Sequence, residues 1–141
     1  LGDEGSGSAV SRARASAVMR KLAGNIALPP LTRLPAEHVI NRAFYLIQET
    51  PGRYAGGPVW VEFRGGREND GVSPVVIGSA DWAAAWALDD NGQPLYPTVP
   101  GGEAQREAAF RFGVNLVMYA LAGNYKADQV HVRDLLNRLG H

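Results

Sequence analysis

The stretch "EAQREAAFRFGVNLVMYALA" (residues 103–122) is the longest helical pattern in the chain, and the fold is best argued outward from it. Its large apolar residues repeat at helical spacing, at positions Phe110, Val114, Val117 and Leu121. We expect this stripe to face the core, widened by Gly113, Leu116 and Ala120. A glycine inside a helix costs about 1 kcal/mol relative to alanine, so Gly113 predicts that another backbone packs against it.

The charged residues of the same stretch are predicted to form its solvent-exposed face. Glu103 and Glu107 stand at helical spacing with Arg106 and Arg111, which favours ion pairs along the helix surface. Gly123 and Asn124 are a stop signal, and a second short helix is expected over residues 131–139.

Shorter patterns precede this helix. An amphipathic pattern predicts a helix over residues 11–23, and a helical turn is expected at 36–42 after a proline-rich segment. β-Branched and aromatic residues predict strands over 59–63 and 73–78, joined by a tight connection at 64–70. The second strand is apolar throughout, which is typical of a strand covered on both faces in a parallel or mixed sheet. Residues 79–88 fit either a short helix capped by Ser79 or Asp81, or a further strand.

Length and composition limit the domain organisation and the function classes. The chain has 141 residues, which suits one core, and we expect a flexible glycine- and serine-rich loop at 1–10 followed by a single α/β domain at 11–141. Lysine plus arginine and aspartate plus glutamate both total 14, so the balanced charge does not favour nucleic acid. No apolar run approaches the roughly 20 residues of a membrane span. The chain begins with Leu1, and we expect it to be part of a longer protein.

Four residues are candidates for ligand binding: His38, Arg53, Asp70 and Asp81. Asp81 follows a predicted strand, where α/β sheets commonly bind ligands, although it could equally cap a helix. Asp70 could shape a turn, and His38 could be a packed histidine. The chain has no cysteine, no nucleophile motif and no phosphate-binding loop, and its histidines form no close ligand pair. We therefore predict no catalytic residue, no metal and no cofactor.

Three blocks of the sequence carry a resemblance to a known family: "HVINRAFYLIQETPGRYAGGPVWVE" (38–62), "NDGVSPVVIGSADWAAAWA" (69–87) and "REAAFRFGVNLVMYALAGNYKADQVHV" (106–132). Together they resemble the C-terminal part of the domain of unknown function 4159 family of bacteria, from about residue 28 to the end. The segments 38–45 and 75–81 match two characteristic positions of that family, but Ala80 stands where its turn usually carries asparagine.

This resemblance implies a three-layer α/β sandwich, flavodoxin-like or class I glutamine amidotransferase-like, of which the chain would be the C-terminal half. It also implies that the full-length protein is anchored in the bacterial cell membrane, with a MoxR-type AAA+ ATPase system as a partner. The apolar faces of such a half-domain would need either a protein partner or the N-terminal half of the same domain.

Two functions follow from the residues and the resemblance. The first is a non-catalytic amidotransferase-like domain that binds a ligand or a protein, which the absence of a nucleophile favours. The alternative is a hydrolase or carbohydrate-acting enzyme similar to trehalose-utilisation proteins, which would use His38 and Asp81 together with groups from the N-terminal half. It requires these two side chains to converge on one pocket.

Overall fold

The computed structural model describes Arg14 and residues 17–139, with side chains described as far as residue 122. Contacts divide the chain into two compact units, Leu1–Pro30 and Leu31–His141. In the first unit, residues 17–23 form helix α1, which ends where the Gly24 amide donates to the Arg20 carbonyl (3.0 Å). Helix is therefore confirmed at the described positions of the predicted segment 11–23, whereas the expected flexible loop at 1–10 lies outside the described residues.

The second unit contains a three-stranded antiparallel sheet in the order β1-β2-β3. Its strands are β1 (Leu31–Arg33), β2 (Val59–Glu62) and β3 (Val76–Gly78). Residues of β2 alternate between buried and half-buried, as the pattern of its side chains predicts. The expectation for β3 was wrong: it is half-buried along its length and pairs antiparallel with β2, because the chain returns through a short connection.

Three helical elements accompany the sheet in this unit. A 3-10 helix spans Val39–Arg42, α2 spans Trp82–Trp86, and α3 spans Gly102–Leu139. Residues 79–88, for which the sequence allowed either a helix or a strand, contain the helix α2. Helix α3 continues through the predicted stop at residues 123 and 124 and joins the two helices expected over 103–122 and 131–139. The mixed α/β class is thereby confirmed.

The inward face of α3 is not the one that its apolar spacing predicts. Ala109 and Phe112 are fully buried, and Tyr119 is nearly so. Most of the predicted core stripe lies on the opposite side, where Val117 is 57% exposed and Leu121 is 77% exposed. Leu116, at the edge of that stripe, does pack against the core. The error has a physical cause, because residues 108–122 are apolar on both sides of the helix and spacing alone does not say which side meets the sheet.

The core is small and centres on α3. Phe112 and Tyr119 from the helix pack with Ile40, Ile47 and Val61 from the 3-10 helix, its following loop and β2. Gly113 also has a packing role, but its neighbour is a side chain rather than the expected backbone. A Cβ atom at Gly113 would lie 3.1 Å from the Trp86 indole, so the glycine allows α2 to lie close to α3.

Polar side chains on the inner side of α3 hold the loops of this unit by hydrogen bonds to their main chain. The fully buried Asn115 makes four such bonds: Oδ1 accepts from the amides of Phe44 (3.2 Å) and Tyr45 (2.8 Å), and Nδ2 donates to the carbonyls of Ile40 (2.7 Å) and Tyr45 (2.8 Å). This uses the full hydrogen-bonding capacity of a carboxamide. The loop after the 3-10 helix is therefore fixed to the helix by one side chain.

Gln105 and Arg106 act in the same way between two and three helical turns before Asn115. The Gln105 amide donates to the carbonyls of Gly52 (2.9 Å) and Val99 (3.1 Å), and its Oε1 accepts from the Gly101 amide (2.9 Å). Arg106 donates to the carbonyls of Ala85 (2.9 Å) and Tyr96 (2.6 Å) and pairs with Glu103 (3.3 Å).

The prediction that the charged residues of α3 form an exposed, ion-paired face is therefore only partly correct. Arg111 and Glu107 form the expected exposed pair (2.7 Å). Arg106, however, is buried, and it donates to the carbonyls of Ala85 in α2 and of Tyr96 in the following loop. A buried guanidinium requires such acceptors, since leaving its donors unpaired would be costly.

Because Asn115 holds the loop after the 3-10 helix, its substitution is expected to lower stability strongly. Asn115→Ala removes a side chain that satisfies buried main-chain groups of three residues, and we expect the free energy of unfolding to fall by about 3 kcal/mol. Guanidinium chloride unfolding at unchanged m-value measures this. The exposed Asn91 provides a matched control, and Asn91→Ala should change stability by less than about 0.5 kcal/mol. Equal effects of the two substitutions would contradict the role of Asn115.

Candidate functional site

His38 lies at the start of the 3-10 helix and is completely buried. Its Nδ1 accepts a hydrogen bond from the Ile40 amide (3.2 Å), so the proton lies on Nε2, which faces the Glu68 carbonyl at 3.2 Å. The Tyr119 ring meets the imidazole edge-on, with the ring centroids 5.6 Å apart. The histidine thus connects the 3-10 helix, the 64–70 loop and α3.

Burial lowers the pKa of His38, because desolvation disfavours the imidazolium more than the nearby Glu68 carbonyl and carboxylate favour it. A neutral imidazole with one nitrogen accepting and the other donating satisfies both of its partners. In this arrangement His38 has a structural role in the described part of the chain. Its place as a ligand residue stays a prediction.

Asp70 lies in the same region, at the exposed end of the 64–70 loop. Its amide donates to the Arg67 carbonyl (3.0 Å), and its own carbonyl accepts from the Arg64 guanidinium. Arg64 also pairs with Glu62 on β2 (2.6 Å), which ties the loop to the sheet. The main chain of Asp70 therefore shapes the turn, and its carboxylate points to no described partner.

Asp81 lies at the other end of β3 and caps α2. Its Oδ1 accepts from the Ala84 amide (3.3 Å), and its main chain adopts the left-handed conformation with φ of 56°. Aspartate is one of the few residues that tolerate this conformation. Its carbonyl accepts from the Arg53 amide (3.0 Å), so these two candidates are neighbours through the main chain.

The four candidates consequently form two pairs. His38 and Asp70 belong to the environment of the 64–70 loop, and Arg53 and Asp81 belong to the junction between β3 and α2. No hydrogen bond or ion pair joins one pair to the other among these described residues.

The Arg53 side chain lies among aromatic rings. Its Cζ is 5.4 Å from the Tyr54 ring centroid and 5.1 Å from the Tyr96 ring centroid, within the range of cation–π attraction. The Nε–H of Arg53 is buried and has no described acceptor. We call Arg53, Tyr54 and Tyr96 the arginine cluster.

A second surface is formed by the outward side of α3. An apolar groove of about 610 Å³ runs along it, lined by Trp86, Phe110, Gly113, Val114, Leu116, Val117, Met118 and Ala120. We call this the α3 outer face and include Leu121, which continues it. Between residues 108 and 122, Arg111 is the single charged residue, so the surface is unusually apolar for a helix in contact with water.

A third concavity has a mixed polar and apolar lining. A cleft of about 660 Å³ lies beside the segment 48–58 and the end of β1, and Arg33, Glu49, Thr50, Gly56 and Gly57 are among its lining residues. Its volume lies in the range of small-molecule sites, but none of the four candidate residues lines it.

The comparison with known families agrees with the resemblance. The model described as "Domain of unknown function (DUF4159)" matches residues 7–121, which is most of the chain. The chain belongs to the domain of unknown function 4159 family. The match starts before residue 28 and includes α1, and it ends at residue 121, whereas the resemblance was expected to run to the end of the chain. No curated protein matches the chain.

Two further properties of this family member concern membranes and metals. None of the helices within the described residues is long and apolar enough to cross a bilayer. No group of three or more metal-ligating side chains occurs within the part of the chain that the structure describes.

In this member of the domain of unknown function 4159 family, sequence reasoning missed several residues that organise the candidate surfaces. Tyr96 was not among the candidate residues, although it completes the arginine cluster. Gln105 and Arg106 hold the loops on either side of that cluster. The sequence places Gln105 and Arg106 beside apolar residues in an uninterrupted helical pattern. Such a pattern does not show whether a polar side chain is buried or exposed.

The lowered pKa of His38 predicts a pH dependence of stability. Because the folded-state pKa lies below the unfolded value near 6.5, stability is complete above that pH and falls as the pH drops below it. His38→Asn can retain the hydrogen bond to the Ile40 amide without titrating. We expect the stability advantage of the unsubstituted chain over this variant to shrink between pH 7.5 and 5, by up to about 1.4 kcal/mol per pH unit.

Urea unfolding of both proteins at several pH values measures this difference, and the other histidines contribute equally to both. A stability difference that stays constant with pH would show that His38 does not titrate in this way.

The conformation of Asp81 predicts a distinct pattern of substitutions. Asp81→Ala removes the helix cap and places alanine at positive φ, so we expect a loss of about 1 to 2 kcal/mol in the free energy of unfolding. Asp81→Asn keeps a capping oxygen and tolerates the left-handed conformation, and it should remain within about 0.5 kcal/mol. Thermal unfolding distinguishes these outcomes, and an asparagine variant as unstable as the alanine variant would show that the charge itself matters.

Proposed function

We propose that this chain is a non-catalytic protein-binding domain whose α3 outer face receives a helix of a protein partner. The observation that carries the proposal is that α3 is apolar on two opposite sides while only one side meets the described core. Phe112 and Tyr119 face the core, whereas Val114, Val117 and Leu121 face outward. A helix with this pattern is typical of positions covered on both sides.

The exposed apolar area supports a binding role on energetic grounds. Each outward side chain that becomes covered would contribute roughly 1 kcal/mol, since each is already partly shielded and full burial is worth about 1.5 to 3 kcal/mol. The same surface left uncovered would favour aggregation. A partner that covers this surface would therefore stabilise the domain and prevent its aggregation.

The spacing supports a helical partner. Phe110, Val114, Val117 and Leu121 are separated by four, three and four residues, the interval at which helices pack side by side. Beside the groove, Glu107 and Arg111 neutralise each other. A membrane-surface helix would instead carry an excess of lysine and arginine on its polar face. These features favour a protein helix over a lipid surface.

Several finer expectations rest on the family resemblance. They are an amidotransferase-like or flavodoxin-like three-layer arrangement, the assignment of this chain to the C-terminal half of that domain, a membrane anchor in the full-length protein, and a MoxR-type AAA+ ATPase system as a partner. In this proposal the helix that covers α3 comes either from the N-terminal half of the same domain or from such a separate protein. Both sources present the same chemistry, an amphipathic helix.

Photo-crosslinking in the full-length protein tests the proposal. A photoreactive phenylalanine analogue at Val114 or Leu121 should form adducts with one protein segment, with attachment points separated by about seven residues of a helix. Mass spectrometry then shows whether this segment belongs to the same polypeptide or to another protein. The same analogue at the exposed loop residue Asp90 is the matched control and should not label that segment.

A substitution on the α3 outer face completes the test. Val117→Asp should abolish the adducts formed from Val114, while the stability of the isolated chain should change by less than about 0.5 kcal/mol because Val117 is exposed. Adducts with lipid, no adducts, or adducts that persist in the Val117→Asp variant would contradict the proposal.

A further inference from the structure

The main chain around the arginine cluster is unusually well fixed for a loop. The Arg53 amide donates to the Asp81 carbonyl (3.0 Å), and the Arg53 carbonyl accepts from the Val99 amide (2.8 Å) and the Gln105 side chain (3.2 Å). The Tyr54 amide donates to the Ala80 carbonyl (3.1 Å). Three different segments therefore fix the main chain from which the Arg53 side chain extends. Binding residues are usually supported in this way.

The guanidinium itself lacks the partners that a fixed arginine normally has. No described carboxylate lies within ion-pair distance of Arg53. Its contacts are the rings of Tyr54 and Tyr96, and its buried Nε–H has no acceptor in the described protein. A buried, charged donor without an acceptor is uncommon in folded proteins, and a bound water or ion that completes it is one of its standard explanations.

We propose that the arginine cluster binds the carboxylate of a small organic ligand. Rings beside a guanidinium leave its N–H edges available, and these edges match the two oxygens of a carboxylate. Tyr96 is 44% exposed, so its ring offers a surface on which the apolar part of such a ligand packs. This site is separate from the α3 outer face and does not depend on the partner proposed for it.

The charges around the cluster favour a carboxylate over a phosphate. Arg106 also contacts the Tyr96 segment, but its donors are engaged with the Tyr96 and Ala85 carbonyls and with Glu103. Arg53 is thus the one uncommitted cation of the cluster, and a single positive charge matches a carboxylate monoanion. A phosphate dianion is better served by several cationic donors.

Nuclear magnetic resonance of the full chain tests this site directly. The Arg53 Nε–H signal is followed while sodium benzoate or inorganic phosphate is added at constant ionic strength. We expect a saturable shift with benzoate and a weaker response to phosphate. Arg53→Lys keeps the charge but loses the paired donors, and it should weaken benzoate binding about tenfold.

Arg33→Lys is the matched control, because Arg33 is an exposed arginine on β1, and it should bind benzoate as the unsubstituted chain does. Tyr96→Leu provides a second variant that keeps Arg53 and removes one ring, and it should also weaken binding. The proposal is overturned if the Arg53 signal does not saturate, if Arg53→Lys binds benzoate equally well, or if phosphate binds more tightly than benzoate. If a variant does not fold, the benzoate and phosphate titrations of the unsubstituted chain still test the proposal.

Discussion

Buried polar side chains on the inner side of α3 are the constraint on which the rest of the second unit depends. Asn115, Gln105 and Tyr119 do not bond to one another but to the main chain of loops that are distant in sequence. Tyr119 accepts from the Ser73 amide (2.5 Å), Asn115 holds Tyr45, and Gln105 holds Gly52. Because buried main-chain groups must find partners, these side chains replace the sheet and helix hydrogen bonds that the loops lack.

This arrangement explains how a unit with short strands can position its surfaces. The sheet has three strands of three or four residues, and it does not by itself fix the segments 43–58 or 87–101. Gln105 and Arg106 fix the segments that carry Arg53 and Tyr96. The inner side of α3 is therefore occupied by loop contacts and a small core, which leaves the opposite apolar side for a partner. The two proposed sites follow from opposite sides of the same helix.

The sequence predicted the elements better than their orientation. The start of the main helix, the strand at 59–63, the last part of the strand expected at 73–78, and the family were recognised from residue patterns, because these patterns are local. The choice of inner face was wrong, since residues 108–122 are apolar all round and the decisive contacts are made by loops far away in sequence. For the same reason the buried Arg106 was mistaken for part of an exposed face. Nothing in the local pattern marks Asn115, although its side chain makes four hydrogen bonds to the main chain of the 40–45 segment.

Native-state hydrogen exchange tests the central claim most directly. The amides of Tyr45, Ser73 and Gly101 lie in loops but donate to side chains of α3. If these side chains hold the unit together, the three amides will exchange with free energies close to that of the Phe112 amide inside α3, through a shared cooperative opening. Exchange of the loop amides several kcal/mol more easily than Phe112 would contradict the account, because it would show that the loops open independently of the helix.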